Sequence, residues 1–214
     1  MTVPAHDDQT PNLVSTPWGA PQTIDRIALG IHAVTTAGHG GLHLSEALNA
    51  AVPDYMRNAD GWYEEDVEWA VVALVHPGPF PAADRVQAEA TLKEWLPDAW
   101  EKWTGRTLAP GESSRRDRAV FEASHAGEQI VVAAWGWPVP GSPDAEMSEA
   151  EVLVCARTGG RGPGSRAPDA RETWHIIPAA DYAACRTDYV VPRGAPETDI
   201  RPYGQKPHGP ATDR

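Results

Sequence analysis

With 214 residues, 41% of them hydrophobic, the chain has material for one large domain with a real core. Its net charge of −12 argues against a generic nucleic-acid binder, because phosphate affinity comes from clustered Lys and Arg. Cys155 and Cys185 stand thirty residues apart with no C-x-x-C pair, which fits neither a zinc ribbon nor a disulfide framework, and the longest apolar run, "WAVVALV" (69–75), is far too short to span a bilayer.

The opening "MTVPAHDDQTPNLV" has neither the basic region nor the apolar stretch of a signal peptide, so a reducing cytoplasm is expected. Residues 1–16 are polar and Pro-rich and are expected to be disordered. Residues 17–192 are expected to form a single α+β domain, and 193–214 a disordered tail. "IALGIHAVTTA" (27–37) reads as a strand, "GHGG" (38–41) as a turn and "LHLS" (42–45) as the returning strand of a β-hairpin. The glycines would supply the positive φ values of that turn. Ser45 is placed to cap a short helix over 46–52, which Pro53 ends.

The next helix is expected to start at Asp60 or Gly61 and to stop at His76-Pro77. Its first turn would hold Glu64, Glu65 and Asp66, where the helix dipole favours negative charge. Amphipathic spacing predicts another helix over 83–96. Pro97 opens a further one that Gly105 closes, and 113–128 has the pattern of one more. Then the character changes. Residues 129–137, 151–157 and 172–179 read as three strands joined by loops without helices, hence antiparallel neighbours. "AADYAACR" (179–186) is a short helix. A hairpin, four to five helices and a small antiparallel sheet make an α+β fold.

No G-x-G-x-x-G, P-loop, G-x-S-x-G or H-E-x-x-H motif is present. The residues that stand out lie at 38–70. His39 and His43 flank the glycine turn, and Glu65 follows among the acids. Two imidazoles and a carboxylate are a ligand set for a divalent metal, or a general acid and base. The same residues also serve as a plain turn and helix start. Trp62, Tyr63, Glu64, Glu65 and Asp66 form an acidic and aromatic block suited to binding. Trp69, Trp95, Trp100 and Trp103 fall on helix faces among apolar neighbours and are expected in the core. Trp135 and Trp137 share one strand face. The loop 157–171 carries Arg157, Arg161, Arg166 and Arg171 against Asp169, and reads as a solvated connector or as a grip for an anion.

"TPWGAPQ", "VTTAGHGGLHLS" and "GWYEEDVEWAVVAL" together resemble an uncharacterised domain family of bacterial plasmids and phages, with its PWG start, S/T-x-x-H-G-G turn and W-Y-E-E-D block. "LKEWLPDAWEKWTG", "VVAAWGW" and "ETWHIIPAADYAA" are similar to its later blocks, so the resemblance spans 16–190. It implies a mobile-element origin and a cytoplasmic accessory role, and it brings no activity. Two functions are therefore expected. One is an accessory protein that binds a host or defence protein through the acidic and aromatic block, needing no cofactor and touching neither nucleic acid nor membrane. The other is a metal-assisted hydrolase of a phosphate ester or nucleotide, with His39, His43 and Glu65 as ligands or base.

Overall fold

The structure is a computed structural model that describes residues 15–142, 146–185 and 188–202. The disorder expected over 1–14 and 203–214 falls outside the described residues. The α+β class holds: a first antiparallel sheet, then helices, then a small three-stranded antiparallel sheet. Contacts divide the chain into two compact units, one running to Arg116 and the other starting at Asp117. The division falls inside a helix, where no Pro/Gly linker marks it in the sequence.

In the first unit, β1 (Thr23–Ala28), β2 (Ile31–Thr35), β3 (Gly40–Leu44) and β4 (Trp62–Glu64) pair in sequence order, all antiparallel. Ile31, Leu42, Leu44 and Tyr63 point to one face, where Val52, Met56, Val71, Val72, Leu92 and Trp100 complete the core. The helices behind it are α1 (Glu46–Asn49), α2 (Trp69–Val75), α3 (Ala82–Trp95) and α4 (Pro97–Thr104). The apolar α2 runs through the core with Ala70 to Ala73 all buried. Pro97 opens α4 and Gly105 closes it at φ +70°, as its sequence predicts.

Four local expectations are corrected. The strand expected over 27–37 is broken at Leu29-Gly30, where Gly30 has φ +77°, so residues 23–28 form a separate strand, β1. The "WYEED" block is strand β4 and a turn, and the helix starts only at Trp69. Its period-2 pattern, with Tyr63 inward and Trp62 and Glu64 outward, completes the sheet edge beside β3, and this pairing overrides the local preference of acids for a helix start. Ser45 precedes α1 but makes no side-chain cap bond. Of the four helix tryptophans expected in the core, Trp100 is buried and Trp69 packs against the core, while Trp95 and Trp103 are exposed. The Arg115 guanidinium covers the Trp95 ring at 4.0 Å.

The chain leaves the first unit through α5 (Ser114–Ser124). In the second unit β5 (Gln129–Gly136), β6 (Glu151–Thr158) and β7 (Glu172–Pro178) form the antiparallel sheet, followed by α6 (Ala179–Cys185). Both faces carry apolar residues: Val131, Val154 and Ile177 on one, Leu153, Cys155 and Trp174 on the other. Trp135 stacks on Trp174 at 5.3 Å, while Trp137 is exposed. The segment 193–202, read from sequence as the start of the tail, lies against this sheet: Thr198 N–H donates to the Trp174 carbonyl, and the Arg201 guanidinium sits over the Trp174 ring. No helix among the described residues is long and apolar enough to cross a membrane.

Candidate functional site

The turn at 36–39 does not depend on positive φ. None of Gly38, Gly40 and Gly41 has one. Thr36 closes the turn instead: its N–H and its hydroxyl both donate to the His39 carbonyl at 2.8 Å, and its Oγ1 accepts the His39 N–H at 3.2 Å. The glycines serve close approach. A Cβ on Gly40 would lie 2.5 Å from a Glu65 carboxylate oxygen, and one on Gly41 would collide with the Trp18 ring and the Tyr63 carbonyl. Glu65 and Trp18 can therefore lie directly on strand β3.

On the sheet face opposite the core, Trp18 meets Trp62 edge-on at 5.6 Å, and Trp62 lies against the His43 ring at 4.5 Å. The two indoles wall a cleft of about 450 Å³, with Asp60, Glu64, Glu68, Asn58 and Arg57 around it. Glu68 shapes its floor, since one carboxylate oxygen accepts from Asn58 Nδ2 at 2.8 Å and from the Glu64 N–H at 3.0 Å. Asn58 Nδ2 also donates to the Trp62 carbonyl at 2.6 Å. Arg57, the one cation in the lining, is ion-paired to Asp54.

At the turn, His39, Glu64 and Glu65 each offer a ligand atom within 4.8 Å of the others. His43, grouped with His39 and Glu65 from the sequence, lies two residues beyond Gly41 on β3 and is absent from this cluster; Glu64 takes its place. Distance along the strand explains this: His43 shares the outer face but pairs with Trp62, whereas Gly41, two residues away, pairs with Glu64. Burial, followed by the neighbouring His32, pushes the His43 pKa down, while Asp60 works the other way.

The binding block also divides. Trp62 and Glu64 line the cleft, Glu65 and Asp66 are exposed in the turn, and Tyr63 is fully buried. The Tyr63 hydroxyl donates to Asn49 Oδ1 at 2.6 Å, and burial raises its pKa, so Tyr63 anchors the site from beneath and touches nothing outside. Sequence reading missed Trp18, Glu68 and His32. Trp18 is in the PWG start quoted above, and His32 becomes visible once the turn is placed at 36–39, because it then falls opposite His43.

In the second unit the basic loop is bound down rather than free. Arg157 pairs with Glu172, Arg171 with Glu197, and Arg161 donates to the Val132 carbonyl at 2.9 Å. A cavity of about 350 Å³ beside it is lined by Gln129, Thr173 and His175. Those side chains are bonded to one another in a chain ending at the Pro196 carbonyl. Burial pushes the Cys155 thiol up to about 12, which leaves it an inert apolar residue.

A family described as "Domain of unknown function (DUF7007)" matches residues 11–126, the first unit and the start of the second. No curated protein and no solved structure matches the chain.

Proposed function

The chain belongs to the DUF7007 family of unknown function, and from that premise we propose that it is a binding protein whose cleft in the first unit takes a basic side chain of a partner protein. One observation carries this reading: two half-buried indoles, Trp18 and Trp62, share a single cleft with the carboxylates of Asp60, Glu64 and Glu68. Indole faces and carboxylates attract the same ligand, a guanidinium or ammonium group. The chain's charge of −12 steers such a partner in. The fitting partner is a cytoplasmic host or defence protein with a basic, nucleic-acid-gripping surface, and the protein is then an accessory factor of a phage or plasmid.

The test is calorimetric titration with an arginine-rich peptide. Trp62→Ala, and the double reversal Glu64→Lys with Glu65→Lys, should each weaken binding by about thirtyfold, the size of an interface hot spot. The melting temperature of the double reversal should stay near that of the parent. A matched reversal on α3, Asp84→Lys with Glu89→Lys, changes net charge equally and should leave binding in place. Equal binding by all variants would overturn the reading.

The cluster of His39, Glu64 and Glu65 favours a second reading, metal-assisted hydrolysis of a phosphate ester. Mixed imidazole and carboxylate ligands suit Mn²⁺ or Mg²⁺, which would activate water beside the cleft. It predicts that Mn²⁺ binds, as seen by its paramagnetic resonance, that a chromogenic phosphodiester is cleaved, and that His39→Ala removes both. Protein that leaves the Mn²⁺ signal unchanged has no such site.

A further inference from the structure

His32 of β2 stands directly opposite His43 of β3. His32 is only 5% exposed, yet neither of its ring nitrogens has a hydrogen-bond partner. His43 Nδ1 is also buried and unpartnered. Buried polar atoms without partners are exceptions in folded proteins, and a bound water or ion is a standard reason for one. Here three such nitrogens fall on a single cross-strand pair.

Residues directly opposite in an antiparallel pair have Cβ atoms about 4.5–5.5 Å apart. That span lets two imidazoles converge on one ion at the ordinary metal–nitrogen distance of about 2.0–2.1 Å. We infer that His32 and His43 form a two-imidazole site for a borderline transition-metal ion of the Zn²⁺ class, with water in the remaining coordination positions.

The surroundings bear on this in both directions. Metal ligation needs neutral rings, and burial lowers the pKa of both histidines, which favours that form. The Trp62 ring against His43 fixes that imidazole's orientation. Asp60 acts electrostatically on His43 and supplies negative charge. Arg26, opposite His32 on β1, opposes a cation, which makes a site held by ligand bonds fit better than one held by charge alone. Nitrogen donors select Zn²⁺, Cu²⁺ or Ni²⁺ over Mg²⁺ or Ca²⁺. The site is thus separate in chemistry from the cluster of His39, Glu64 and Glu65, and it stands whether or not the cleft binds a basic partner.

The experiment uses the full chain, stripped with chelator, and Zn²⁺ as the probe. One equivalent of Zn²⁺ should shift the imidazole ¹⁵N resonances of His32 and His43 and leave those of His39, His76, His125 and His175 in place. In calorimetry, His32→Gln and His43→Gln should each weaken Zn²⁺ binding by at least about tenfold. His125→Ala, in the second unit, should stay within about twofold. The resonance test needs no variant, so a misfolded substitution does not decide the matter. Zn²⁺ that moves only other histidines, or none, overturns the site and leaves water as the occupant of this pair.

Discussion

Gly41→Ala is expected to cost about 3 kcal/mol, the upper range for forcing an extra methyl into a packed position. For a unit of this size the melting temperature would fall by about 12–24 °C. Gly41 has an ordinary φ, so the cost is steric alone. The methyl would meet the Trp18 ring on one side and the Tyr63 carbonyl on the other. The ring can swing away, but the carbonyl belongs to β4, paired with β3 through Gly41↔Glu64 and Leu42↔Tyr63. Relief means separating β3 from β4, the strand that carries Trp62 and Glu64.

The neighbouring glycines grade the effect. Gly40→Ala meets the end of the Glu65 side chain, which can move, and the Val34 carbonyl at 3.1 Å, which gives by only a few tenths of an ångström, so about 1 kcal/mol is expected. Gly38→Ala meets nothing within 4 Å and should fall within about 0.5 kcal/mol of the parent. Thermal melts of the three variants read the order directly. Near-parental melting of Gly41→Ala would mean that Trp18 does not lie on the strand, and the cleft would lose one of its two walls.

This strand pair also shows why the sequence was legible in some places and misleading in others. The helices α3 and α4 carry their signals locally, in spacing and in the Pro97 and Gly105 boundaries. The strands β5 to β7 are β-branched and apolar over seven or eight residues, and are read without knowing their neighbours. The block at 62–66 has no such autonomy. Three residues make a strand there only because β3 is beside them, and the acids that suggested a helix start instead serve the turn, with Glu64 Oε2 accepting the Asp66 N–H at 2.8 Å. β1 was lost because it is an edge strand whose residues are mostly exposed. The same holds for the site: His39 and His43 stand close in sequence, but the register sets His43 against His32 and Trp62. The acidic and aromatic character of the region was visible from composition, but the way each side chain faces depends on register and was not.

In the second unit, Glu122→Ala is expected to cost about 3 kcal/mol, the scale on which removing one partner of a buried ion pair destabilises a fold. Glu122 lies on α5 and is 6% exposed. Its carboxylate accepts from Arg118 Nε at 2.8 Å and from the Arg161 N–H at 3.0 Å. The basic loop is folded over this group: Gly159 and Gly160 both have φ +65°, and a Cβ on Gly160 would lie 2.6 Å from the carboxylate. Arg118 keeps Asp188 and the Val131 carbonyl after the substitution, which holds the loss to the lower end of the range. Glu122→Gln retains an acceptor for the Arg161 N–H and should cost about half as much. Melting reads the stability, and limited trypsin cleavage reads the loop, since release from Glu122 exposes the bonds after Arg161 and Arg166. Parental melting with a still-protected loop would show that the loop is held without this carboxylate. Rapid cleavage with the expected loss would make Glu122 the group that holds the loop backbone at Arg161.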